Sequence, residues 1–157
     1  MSIASNLRAN CDRGFDFLFK QIDEATDDVW TSKAGKWYYW QHIYHTFVCV
    51  DICLLPAGQN PDPGPGKTEW AFFKETPSET LSKETVRAYG KVQRDRANRW
   101  LDGLSDEAMS AQHEGWSARK SAEITNLMAV SNLVTHIFYH IGCCDTTLRE
   151  HNHPGVY

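Results

Sequence analysis

PAGQNPDPGPGKTEWAFFKETPSET, residues 56–80, interrupts a chain that otherwise reads as helix. Its first half is rich in Pro and Gly, which break helices and favour turns. Its second half carries Trp70, Phe72 and Phe73, aromatic side chains expected to pack against the rest of the molecule. Helix connections usually take about two to eight residues, so about 25 is long unless the segment crosses a bundle or covers a site.

Four segments around it carry helical periodicity. In the first, Ile3, Leu7, Cys11, Leu18 and Ile22 recur near one face with Phe15 beside them. The pattern fades by Thr26, and TSKAGK reads as a turn. The second segment runs from about Trp37 to Leu55 and stops at Pro56. The third begins near Ser82, an N-cap in LSKETV, and ends near Leu101 before Asp102-Gly103. The fourth runs from about Lys120 to Glu150, ahead of Pro154-Gly155. Residues 102–119 form a second long connection, with a short helix expected at SDEAM. Strand-like alternation and internal repeats are lacking. The expectation is all-α: one four-helix-bundle domain over residues 1–157.

Bulk properties narrow the function. The net charge of −4 is modest and its signs are interspersed, so no basic stripe suggests a nucleic-acid partner. Six Trp argue for a packed core rather than disorder. The N-terminal MSIASNLRANCDRG lacks the apolar core of a secretion signal. Trp37–Leu55, the most apolar region, is broken by Gln41, His42, His45 and Asp51, too polar for a membrane span. Five cysteines, an odd number, fit reduced thiols, and adjacent Cys143 and Cys144 read as two semi-buried thiols. The chain therefore reads as a cytoplasmic protein acting on a small molecule, with neither membrane nor nucleic acid as partner. Its oligomeric state is open, a homodimer included.

The chemistry concentrates in THIFYHIGCC, residues 135–144. His136 and His140 stand one turn apart on one helix face, about 6 Å along the axis, a spacing that lets two imidazoles converge on one ion. The plainer alternative is two partly exposed or water-bonded histidines. A third ligand must come from another helix, and WQHIYHTFVCVD offers His42 and His45. His45 lies about 12 Å from the start of its helix and His140 about 15 Å from the end of its own, counted at 1.5 Å per residue. They are level only if the second and fourth helices run antiparallel. An up-down-down-up order does this and needs a long crossover between helices two and three, where residues 56–80 stand. A mixed Cys/His set is a further alternative, since His45, Cys49 and Cys53 form one stripe and His136, His140 and Cys144 another. The cysteines read more simply as small core residues one turn deeper. His151 and His153 near the end read as solvated.

WQHIYHTFVCVDICLLP (residues 40–56) and VTHIFYHIGCCDTTLREHNHPG (residues 134–155) resemble the second and fourth helices of the DinB/YfiT-like superfamily of metal-dependent proteins. The first shows a His followed by an apolar stretch and an acidic residue; the second shows H-x-x-x-H-x-G, then an Arg and a Pro. The resemblance covers most of the chain as a pattern. It implies an up-down-down-up bundle and metal ligands at His45, His136 and His140, with His42 left as a pocket or surface residue. One position departs: after Gly142 the family often has Gln, and here stands Cys143.

Three neutral imidazoles leave a divalent ion short of ligands, the pattern of a catalytic rather than a closed structural site. Zinc and nickel suit such a site first, and iron, cobalt and manganese are compatible with it. Characterised members of the superfamily include transferases using a low-molecular-weight thiol (bacillithiol, mycothiol or glutathione) and a thiol-dependent maleylpyruvate isomerase. The resemblance thus implies a thiol S-transferase. A metal-dependent hydrolase, or a non-catalytic stress or interaction protein, are the alternatives. The substrate pocket is expected near Trp37–Trp40 and the last turns of the fourth helix, although such an aromatic run is commonly core.

Overall fold

A computed structural model describes residues 2–157. The protein is mostly helical, as the periodicity predicts. In chain order the elements are α1 (Ile3–Glu24), α2 (Asp27–Thr31), β1 (Lys33–Ala34), β2 (Trp37–Tyr38), α3 (Tyr39–Leu54), α4 (Thr68–Ala71), α5 (Lys83–Asp102), a 3₁₀ turn (Ala108–Ser110), α6 (Glu114–Lys120) and α7 (Asn126–Glu150). Side-chain caps set three of the four long helices. Ser2, Ser82 and Thr125 each accept from the backbone N–H three residues on, at 3.1, 3.2 and 3.2 Å.

Three features differ from the sequence reading. TSKAGK is not a bare turn: Lys33–Ala34 pairs antiparallel with Trp37–Tyr38 around Gly35, at φ 69°, and α3 starts only at Tyr39. Two-residue strands are too short for alternation to announce them. The fourth segment is also interrupted. Helix α6 ends at Ser121 in the left-handed region (φ 50°), and α7 starts afresh after its Thr125 cap. The break is held from outside: His113 N–H donates to Ile124 O at 2.8 Å, and Asn126 N–H to Ala111 O at 2.9 Å. The short helix expected at SDEAM is a 3₁₀ turn slightly further on.

The four long helices each pack on two others, α1 and α3 both against α5 and α7. Along α3–α7, the Cys144 thiol faces Tyr39 O, His42 meets His140 and His45 meets His136. Along α3–α5, Tyr44 meets Tyr89, Phe47 overlies Gly90 and Asp51 pairs with Arg96. Gly90 permits this approach, since a Cβ there would lie 2.4 Å from the Phe47 ring. Phe47 in turn stacks on Phe15 of α1 at 6.0 Å. Burying each such side chain contributes about 1.5–3 kcal/mol, the main force closing the core. Helix α7 has the length and apolar composition of a membrane-crossing helix, but it is packed against α1 and α3, as a core helix of that composition would be.

Residues 56–80 cover one side of α3, as their aromatic half suggests. Trp70 is 1% exposed, and Phe72 and Phe73 are half-buried. Gln41 donates to Trp70 O at 2.8 Å and Tyr44 to Pro63 O at 2.6 Å. Buried Asp51 accepts from Asp62 N–H at 2.9 Å while paired with Arg96, tying α3, the crossover and α5 together.

Candidate metal centre

Helix α3 presents His42 and His45 toward α7, which presents His136 and His140 one turn apart. The Nε2 atom of His136 lies 3.0 Å from Nε2 of His45 and 3.1 Å from Nε2 of His140. These three nitrogens could hold a metal ion; a second group that could do so is His42, His140 and Cys143. The donor set and spacing of the first group fit an ion. Nitrogens about 2.0–2.1 Å from zinc at tetrahedral angles stand about 3.3 Å apart, and at right angles about 2.9 Å.

Hydrogen bonds fix which nitrogens are free to bind. The Nδ1–H of His45 donates to Ala71 O, at the end of α4, so its Nε2 carries a lone pair. His42 donates from Nε2 to Ala34 O in β1 at 3.0 Å, leaving Nδ1 as an acceptor. That Nδ1 lies 2.9 Å from Nδ1 of His140, which must carry the proton between them. Nε2 of His140 is therefore bare toward His45 and His136. His136 differs: its Nδ1 is buried with no partner among the described residues.

Burial keeps the rings neutral. It pulls the pKa of His45 down to about 4, partly opposed by the Ala71 hydrogen bond, and that of His140 down to about 2. Burial lowers His42 and His136 as well. Neutral imidazole is the form that binds metal. Phe73 closes one side, its ring 4.4 Å from that of His45 and 5.2 Å from that of His42. Its backbone sits at φ 56°, a left-handed conformation that costs a bulky residue about 1–2 kcal/mol and is held by the packing around it.

No family model matches the chain, and no curated protein does.

The cysteines divide. Cys53 and Cys144 are core, with the Cys144 thiol facing Tyr39 O. Cys49 stands beside the histidines, its Sγ 3.5 Å from Nε2 of His45, but burial raises its thiol to about 12, so it stays protonated. His42 is neither surface nor pocket: it is buried, with both ring nitrogens engaged. The cavity is also displaced from its expected place. Tyr39 and Trp40 are fully buried core. A cavity of about 330 Å³ lies instead toward the end of α3 and the start of α7, lined by Cys49, Ile52, Trp116, Arg119, Leu133 and His136 among others. The sequence carried no signal for the Ala34 and Ala71 carbonyls, because backbone oxygens look alike in every residue.

Proposed function

We propose that this chain is a metal-dependent protein of the DinB/YfiT-like superfamily. In this reading His45, His136 and His140 hold one divalent ion, zinc or nickel before iron, cobalt or manganese. The site activates a small thiol for transfer to an electrophile. The convergence of three Nε2 atoms at 3.0 and 3.1 Å carries the reading. Three histidines from two helices outrank the His42–His140–Cys143 group because the orientation of His45 is fixed by Ala71 and that of His140 by His42.

The order of contacts supports a single up-down-down-up four-helix bundle. From Tyr39–Cys144 to His45–His136, numbers rise on α3 as they fall on α7, so the two run oppositely. From Tyr44–Tyr89 to Asp51–Arg96 they rise together on α3 and α5. Asp12–Arg94 and Asp23–Arg87 order α1 against α5, while Gly14–Ile137 and Gln21–Ile141 order it with α7.

When bound, such an ion lowers the pKa of a thiol so that the nucleophilic thiolate is present at neutral pH. The protein's own residues prepare the place. Ala71 and the His42–Ala34 pair present bare nitrogens, and Phe73 packs against the rings of His45 and His42 while His136 faces the cavity. The thiol itself comes from the resemblance of residues 134–155 to the family's fourth helix.

The test is elemental analysis of untagged protein, then assays with bacillithiol, mycothiol or glutathione and a model electrophile. About one ion per chain is expected, lost in His45→Ala and retained in Cys143→Ser. The reverse pattern would move the site to the second group. Metal-dependent ester or amide hydrolysis without thiol would replace transfer with hydrolysis.

A further inference from the structure

We propose that the cavity beside His136 binds a small organic anion with an apolar body, its carboxylate held by Arg119 and Lys120. The cavity holds about 330 Å³, room for a compact ligand. Ile52, Trp116 and Leu133 supply apolar walls, and among the described residues Arg119 and Lys120 are its only charged lining, with no carboxylate beside them.

Neither cation is neutralised. Among the described residues, no Asp or Glu pairs with Arg119 or Lys120 within 4.0 Å. Arg119 donates to Ile52 O at 3.2 Å and to Gln59 O, neutral acceptors that hold the guanidinium without cancelling its charge. Lys120 rests over the Trp116 ring at 6.0 Å. Other arginines in the chain, such as Arg87, Arg94, Arg96 and Arg149, do reach carboxylates. A planar guanidinium and a mobile ammonium at the edge of an apolar cavity suit a carboxylate better than a neutral polar group. His136 lines the same cavity, so the far end of the ligand faces the histidine cluster. That this end meets a reacting centre rests on the metal reading above; anion binding does not.

The experiment is calorimetric titration with 3-phenylpropionate and its neutral amide, on protein as purified and again after chelation. The acid should bind about tenfold tighter than the amide in both preparations, the scale of a charge-assisted over a neutral hydrogen bond. Lys120→Met removes an exposed side chain without a hydrogen-bond partner among the described residues and should cut the preference several-fold. Arg119→Gln with Lys120→Met should bring acid and amide level. Equal binding of the two by the unaltered protein, binding of neither, or a preference untouched in the double variant would overturn the proposal. So would a preference confined to metal-loaded protein, which would place the carboxylate on the ion. Because the chelated arm contains no metal, its result stands whichever way the metal reading falls.

Discussion

His42 and His140 meet nitrogen to nitrogen, Nδ1 to Nδ1 at 2.9 Å, and the far side of His42 is held by Ala34 O at 3.0 Å. One proton serves the pair, and the backbone bond at Ala34 places it on His140. A histidine outside the proposed ligand set thus decides which nitrogen of His140 is free.

His42→Leu should therefore weaken metal binding about 10- to 100-fold while the helices persist. His42→Asn, whose side-chain oxygen can accept from His140, should recover part of the loss. Chelator competition reads the affinity and far-ultraviolet circular dichroism the fold. Equal affinity in His42→Leu and the unaltered protein would remove His42 from the site.

Metal-free protein should lose stability on mild acidification. The folded pKa values of His45 (about 4) and His140 (about 2) lie below the unfolded 6.5. Below pH 6.5 the unfolded chain therefore binds more protons than the folded one. The stabilisation is fully present above 6.5 and drains away as pH falls through about 4, with His140 still drawing on it below. Melting of chelated protein between about pH 7.5 and pH 4.5 should show this slope, and His140→Leu should flatten it. A slope identical in the variant would assign the pH dependence elsewhere.

Gly115→Ala should destabilise the protein by about 1–3 kcal/mol. A Cβ at Gly115 would stand 2.2 Å from Leu55 O, a backbone atom that cannot rotate away. Helix α6 would be pushed off the end of α3, carrying Trp116 and Arg119 with it. A lower melting temperature together with weaker 3-phenylpropionate binding is the expected pair of results.

Asp51→Ala should cost about 2–3 kcal/mol, the scale of charged hydrogen bonds. It removes the partner of Arg96 and the acceptor of Asp62 N–H. Arg96 is one-third exposed and regains water, which keeps the loss below that of a sealed ion pair. Faster hydrogen exchange at the Asp62 amide is the local signature. Asp51→Asn keeps an acceptor for Asp62 and should fall between.

The helical class and the start of α5 are legible because their causes are local: the Ser82 cap acts within one turn. The Ser2 and Thr125 caps act over the same range, but the helical period running on from Lys120 hides the fresh start of α7 at Asn126. The spacing of His136 and His140 fixes their shared face wherever the helix lies. Asp51 and Trp70 were visible as an acidic residue in an apolar stretch and an aromatic in a loop, but their partners were not. Other features depend on segments far apart in the chain. The break at Ser121 is held by backbone bonds from residues 111 and 113. The cavity arises where α6 docks against the end of α3, through Gly115 and Leu55, contacts that no local period encodes. The free nitrogens of His45 and His140 depend on carbonyls of Ala71 and Ala34, atoms with no sequence identity. Local sequence encodes the long helical segments and supplies the side chains for chemistry; which nitrogen His45 and His140 present, and where the cavity opens, follow from packing, because both depend on distant backbone brought into contact.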